Sequence, residues 1–271
     1  MLSLSRVHAI ARCCTLLLVV ASESSITPAL HAEEPAHQKL VIATRTYLPP
    51  YVEAGAESGI EIDLIKKIFE GTAYQPVFHQ QPRVRMIAAF DRGHVDGILT
   101  QNIAASTAGC ATNWYIAHEN IAVSLLPRQL EFRGLEGLQG QSVLSFSGAT
   151  RYLGPSFEKA VGQASRYTES GDQGAHIKLL YSGRFDLVAG DRWILQLAQV
   201  RHHEQTGEFK SLKVHEILPP SRYVARFQRQ DICDAFNLSL ARLRESGGYA
   251  QIWNRYIEKM EIAQSPQLAR H

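Results

Sequence analysis

Apolar positions recur at two alternating spacings along the chain, and this alternation predicts an α/β fold. Residues 39–45 (KLVIATR) read as a strand, followed by an irregular loop at 46–51. Residues 60–69 carry apolar side chains at helical spacing, with Gly71 as a stop. A brief strand at 76–78, a helix at 84–92 and a strand at 96–101 come next. The apolar run 121–126, backed by Pro127, reads as a strand leaving a first lobe. A second set then begins: a helical turn at 135–140, a strand at 142–146, a turn at 147–150 leading into a helix from Arg151, a helix at 176–182 and a strand at 187–189. Residues 223–225 read as a return strand. Helices at 232–245 and 249–260, separated by Gly247-Gly248, close the chain, each with an apolar face.

Within this pattern one design occurs twice. Gly93-His-Val-Asp-Gly-Ile-Leu-Thr-Gln101 recurs as Gly183-Arg-Phe-Asp-Leu-Val-Ala-Gly-Asp191. In each, a helical stretch ends at Gly, an Asp follows three residues later, and an apolar run ends in polar residues. Gly suits the end of a helix because it adopts the left-handed conformation at little cost. The apolar run reads as a buried parallel strand, and its polar end lies where open α/β sheets hold ligands. Two such units predict two similar lobes, each presenting polar groups at its rim.

Length and composition agree. The chain has 271 residues, 45% of them hydrophobic, enough for a sizeable core. The formal charge of +2 and the scattered basic residues argue against a nucleic-acid partner. Arg6 and Arg12 precede a short apolar stretch from Cys13 to Ala21, and small residues follow at Ala29 and Ala32. Residues 1–32 therefore read as a secretory signal peptide, cleaved after Ala29 or Ala32, and the mature protein is expected to be exported. No later stretch is long and apolar enough to span a membrane. Cys110 and Cys233 remain after cleavage. In an oxidising compartment they form either a disulfide or two buried free thiols. No Gly-x-Ser-x-Gly elbow or phosphate-cradling Gly loop is present. His202-His203 lies in a polar stretch (RHHEQTGEF) expected to be a solvated loop, and Glu204 is too close to complete a metal site with the pair. No catalytic constellation, metal site or cofactor is expected.

Four motifs, in order, carry a family resemblance. Gly59-Ile-Glu-Ile-Asp-Leu64 resembles a signature of the amino-acid-type (family 3) solute-binding proteins of ABC importers. Leu138-Gln-Gly-Gln-Ser-Val143 with Ser147-Gly-Ala-Thr150 is similar to that family's second-lobe opening. Ser182-Gly-Arg-Phe-Asp186 with Asp191 resembles its late strand, and residues 244–253 (RESGGYAQIW) its C-terminal signature. The resemblance covers about residues 39–260 and identifies the chain as a divergent member. It implies a two-lobed periplasmic-binding-protein-like fold of type II, with two crossover strands, near 121–127 and 219–226, forming a hinge. The expected division is lobe 1 at 33–124, lobe 2 at 125–221, a return to lobe 1 at 222–262, and a tail at 263–271. The implied protein is a monomer that captures a small polar or anionic solute and presents it to an ABC transporter permease. The same scaffold carries periplasmic dehydratases acting on prephenate or arogenate, which would use a cleft acid such as Glu61 or Asp191, and sensory modules that present a ligand to a receptor.

The resemblance also implies ligand contacts. Tyr47 matches an aromatic that packs on the ligand. Thr100 and Asn102 fall at the rim of lobe 1, Thr150 matches a hydroxyl at a helix N-terminus suited to a carboxylate, and Asp191 matches the acid that receives an ammonium. Each also has a plain reading: a rim tyrosine, an ordinary N-cap, a solvated turn aspartate. The family's carboxylate-gripping Arg is missing, because residues 104–109 (AASTAG) hold no basic side chain and position 108 is Ala. Arg83 or Arg85 is expected to supply the cation, unless both face solvent at a helix start.

Overall fold

The computed structural model describes residues 37–103 and 108–264, with side chains as far as 260. The stretch 1–32 expected to be a signal peptide, residues 104–107, where no basic side chain occurs, and most of the expected tail lie outside the described residues. Two mixed sheets with helices on both faces form the protein. The strands are β1 (Gln38–Thr44), β2 (Tyr74–Gln80), β3 (Gly97–Asn102), β4 (Cys110–Ala111), β5 (Ile116–His118), β6 (Asn120–Leu125), β7 (Ser142–Phe146), β8 (Arg166–Ser170), β9 (Leu187–Asp191), β10 (Leu212–His215) and β11 (Ser221–Phe227). The helices are α1 (Ile60–Phe69), α2 (Arg83–Asp91), α3 (Ala149–Leu153), α4 (Pro155–Val161), α5 (His176–Tyr181), α6 (Arg192–Thr206), α7 (Gln230–Glu245) and α8 (Gly248–Gln264).

The first sheet runs β2-β1-β3-β11-β4, with β5 also on β11; the second runs β10-β6-β9-β7-β8. The two share one plan. In each, three parallel strands (β2-β1-β3 and β8-β7-β9) are followed by one antiparallel strand (β11 and β6). The chain passes to the second sheet at Glu119, between β5 and β6, and returns between His215 and Ser221. All of β6 therefore lies in the second sheet, whereas the boundary expected after residue 124 would cut it: its apolar run continues straight on from β5. Helix α8 likewise runs two residues into the expected tail.

The repeat explains the shared plan. Asp96 accepts from the backbone N–H of Val41 in β1 at 2.7 Å, while its own N–H bonds Val41 O. Asp186 does the same to Ser142 in β7, accepting its N–H at 2.8 Å and its hydroxyl at 2.7 Å. Each Asp thus fixes the first strand of its sheet beside the third. Before each, a helix is closed by Gly93 (φ 70°) or Gly183 (φ 72°), a conformation other residues avoid.

Each sheet is covered on both faces. The largest core packs α1, α7 and α8 on the first sheet around Phe69, Phe227 and Phe236, and Met86 and Phe90 of α2 cover the other face. On the second sheet, α5 and α6 contribute Ile177, Leu180 and Leu195, and α3 and α4 contribute Leu153 and Phe157. A disulfide joins Cys110 of β4 to Cys233 of α7, with Cα atoms 6.4 Å apart. Among the described residues, no helix is long and apolar enough to cross a membrane.

Candidate functional site

The carboxyl ends of β1, β3, β7 and β9 converge between the two sheets, the position at which open α/β sheets bind ligands. A cavity of about 80 Å³ lies there, lined from the first lobe by Arg45, Leu48, His118 and Tyr223 and from the second by Asn120, Phe146, Ser147, Tyr152 and Asp191. Two larger hollows adjoin it. One of about 430 Å³ shares Leu48, Gly171, Gln173 and Ile194 with it, and one of about 440 Å³ shares Tyr152 and Tyr223. A larger hollow, about 1150 Å³, is an open groove against α1, β2 and α8 that shares no residue with these strand ends, so we do not assign the site there.

The lobes meet through polar contacts around this cavity. Tyr51, fully buried after β1, stacks on His118 at 4.2 Å and donates its hydroxyl to Asp191 at 2.9 Å. Asp191 ends β9 and caps α6, accepting from the N–H groups of Trp193 and Ile194, both at 3.0 Å. Burial pushes its carboxyl up to about 7, although the hydrogen bonds from Ile194, Tyr51 and Trp193 oppose the rise. Burial, and then the charge of Arg45, hold His118 down near about 3, so it is neutral at physiological pH. Asn120 donates to Pro219 O (2.8 Å) and Ser221 Oγ (2.9 Å), tying the two passages between lobes together. Arg192 clasps both passages as well, pairing with Glu119 at 3.0 Å and Glu216 at 2.6 Å.

The residues singled out from the sequence are distributed unevenly around this centre. Asp191 lines the cavity. Asn102 lines the 440 Å³ hollow, and Tyr47 the 430 Å³ one. Tyr47 is 52% exposed, and Arg201 of α6 holds its hydroxyl at 2.6 Å. Thr100 is buried, with φ 52°, an unusual conformation for a β-branched residue. Its hydroxyl donates to Glu61 at 2.7 Å, its N–H donates to the Tyr115 hydroxyl at 3.0 Å, and Tyr115 in turn donates to the same Glu61 oxygen. Thr100 therefore serves this buried network, in which burial raises the Glu61 carboxyl. Removing one member should be costly. Tyr115→Phe is expected to lower stability by about 1–3 kcal/mol, read from the urea midpoint; an unchanged midpoint would show that the network carries no weight.

Thr150 stands at the start of α3 as expected, but a carboxylate of the protein already occupies that place. Glu169 of β8 accepts from Gly148 N at 2.6 Å, Thr150 N at 3.0 Å, the Thr150 hydroxyl at 3.2 Å and the Tyr167 hydroxyl at 2.8 Å. Burial alone would raise the Glu169 carboxyl; the bonds from Thr150, Gly148 and Tyr167 outweigh it and hold it below its ordinary range. Arg83 lies 5.0 Å from the centre of the Tyr152 ring, on the far lobe, whereas Arg85 is exposed. Burial, together with the like charges of Arg45 and Arg151, lowers the Arg83 guanidinium. Position 108 is exposed. His202 and His203 lie in the last turns of α6 and not in a loop; His202 pairs with Glu208 at 2.9 Å, and no metal-binding group occurs among the described residues. The polar run concealed a helix that Asp191 starts and Gly207 (φ 73°) ends.

Arg45, Tyr51, His118, Tyr152 and Glu169 were not singled out from the sequence. For Arg45 a cue existed, since it is the last, polar residue of an expected strand. For Glu169 none did, because its partner lies 19 residues away across a strand pair.

No protein-family model and no curated protein sequence matches this chain. Solved structures match in fold. An ancestral arginine-binding protein bound to glutamine superposes with a TM-score of 0.62 at 20% identity, over 81% of this chain and 98% of that one. A histidine kinase sensor domain with similarity to periplasmic binding proteins gives 0.64 at 20%, over 82% and 97%. An ancestral amino acid-binding protein described as a precursor of cyclohexadienyl dehydratase gives 0.62 at 13%, over 80% and 95%. The fold is thus the two-lobed α/β fold of periplasmic binding proteins. Within it, the structural neighbours of this chain include amino-acid-binding proteins at low sequence identity.

Proposed function

We propose that this chain is a periplasmic solute-binding protein that captures a small polar or anionic solute between its lobes and delivers it to an ABC transporter. The observation that carries the reading is the cavity at the converging strand ends, walled by side chains of both lobes beside two adjacent chain passages. Such passages act as a hinge in proteins that close on ligands. The solute is not a free α-amino acid, since Asp191 is engaged by Tyr51 and α6, and Glu169 fills the carboxylate position at Thr150. Protein incubated with periplasmic extract should release one bound solute unchanged on denaturation, identified by mass spectrometry. That solute should reduce the radius of gyration in small-angle scattering. An unchanged radius at saturation would overturn the reading.

One observation favours a second reading, a dehydratase on the same scaffold. A carboxyl at about 7 retains a proton near neutral pH, as a general acid must, and Asp191 meets that condition. Release of a molecule chemically altered from the one supplied would establish it in place of the first.

A further inference from the structure

We infer that the cleft grips an oxyanion of its solute with the guanidinium groups of Arg45 and Arg83, assisted by the Tyr152 hydroxyl. This deepens the solute-binding reading and rests on it. Buried polar atoms nearly always find a partner. Yet Arg45 Nε, Arg83 Nη1 and the Tyr152 hydroxyl are all buried without a hydrogen-bond partner in the protein. The three belong to one place. Arg45 and Tyr152 line the cavity from opposite lobes, and Arg83 packs over the Tyr152 ring at 5.0 Å, with Arg151 over the same ring at 5.1 Å. Among the described residues, no ion pair involves Arg45, Arg83 or Arg151.

Two acids that might balance this charge are committed elsewhere, Asp191 to Tyr51 and α6 and Glu169 to α3; Glu61 gives one oxygen to Thr100 and Tyr115 and makes no ion pair with Arg45 or Arg83. Unpaired guanidinium groups in a closing cleft are costly unless an anion arrives. Planar N–H forks match the oxygens of a carboxylate or phosphate. The two cations lie on the first lobe and the tyrosine on the second, so an anion held by all three draws the lobes together. The recognised class is a small carboxylate or phosphate, with no requirement for an α-ammonium group.

Calorimetry with succinate, inorganic phosphate and glutamine tests this. Succinate or phosphate should bind and glutamine should not; the first two arms distinguish a carboxylate from a phosphate ligand. Arg45→Gln and Arg83→Gln should each weaken the bound anion at least tenfold. Arg45→Lys and Arg83→Lys, which keep charge and bulk but lose the fork, should weaken it measurably while melting like the wild type. Arg85→Gln should bind like the wild type. If an anion binds and neither Arg45 nor Arg83 matters, the subsite is wrong while solute capture stands. If Glu169→Gln tightens anion binding tenfold, the ligand uses the Thr150 position and the inference is overturned. Binding of glutamine alone, or of no probe at millimolar concentration, also overturns it.

Discussion

Replacing Asp191 with Asn is expected to raise stability progressively, relative to the wild type, as pH climbs from about 4 to about 7. Asp191 is buried, and its carboxyl loses its proton near 7 in place of the ordinary 3.8. Between those values the folded protein holds a proton that the unfolded chain has released. The stability associated with that proton is complete below 3.8 and is lost as pH rises through 7. The whole loss is about 4 kcal/mol at 1.36 kcal/mol per pH interval of one. Asn cannot titrate, so its constant cost from imperfect hydrogen bonding cancels when the difference between the two proteins is followed across pH. The difference is needed because His118 acts in the opposite sense. Its depressed value makes it a source of stability that is full above 6.5 and declines as pH falls toward 3. Urea unfolding of both proteins at intervals from pH 4 to 8 measures the effect. Parallel curves would mean that Asp191 is ionised throughout.

Removal of the disulfide is expected to lower stability by about 2–5 kcal/mol, near the upper end because the closed loop is long. The bonded cysteines are 123 residues apart, and the loop they close contains the entire second sheet. Cys233 is fully buried on the core-facing side of α7, so substitution there also loses packing. The fair comparison is therefore wild-type protein under reducing conditions against the same protein oxidised, with Cys110→Ala/Cys233→Ala as the second measure. Coincident urea midpoints for the oxidised and reduced forms would refute the expectation.

The sequence revealed elements wherever burial imposed a period on it. Strand β3, helix α1 and helix α7 stood out because their buried residues recur regularly along them, as at Ile62, Ile65 and Phe69 of α1. The Gly-x-x-Asp repeat was visible because each Asp must hold a strand N–H, a local need met by one residue type at one spacing. Helix α6 escaped because its second half, from Arg201, is polar; only its first half, from Trp193 to Val200, is core. Strands β8 and β10 escaped because each lies at an edge of its sheet and has little buried surface. The site was legible only where one residue acts on its own strand end, as Asp191 does. The pairing of Glu169 with Thr150, and the meeting of Arg83 with Tyr152, depend on how two strands or two lobes come together, which no linear spacing encodes.

The passages at Glu119 and 216–220 make the two lobes unequal in the order of their completion. Every strand of the second sheet falls within residues 120–215, a single uninterrupted stretch. The first sheet, although it starts earlier, lacks the strand that joins β3 to β4 and β5 until β11 is available. A chain emerging from its amino terminus can therefore finish the later lobe while the earlier one still exposes the edge of β3. Contacts of such long sequence separation form slowly. Exposed strand edges invite pairing with other chains, so the hazard in making this protein lies in the first hundred residues, and the last fifty end it.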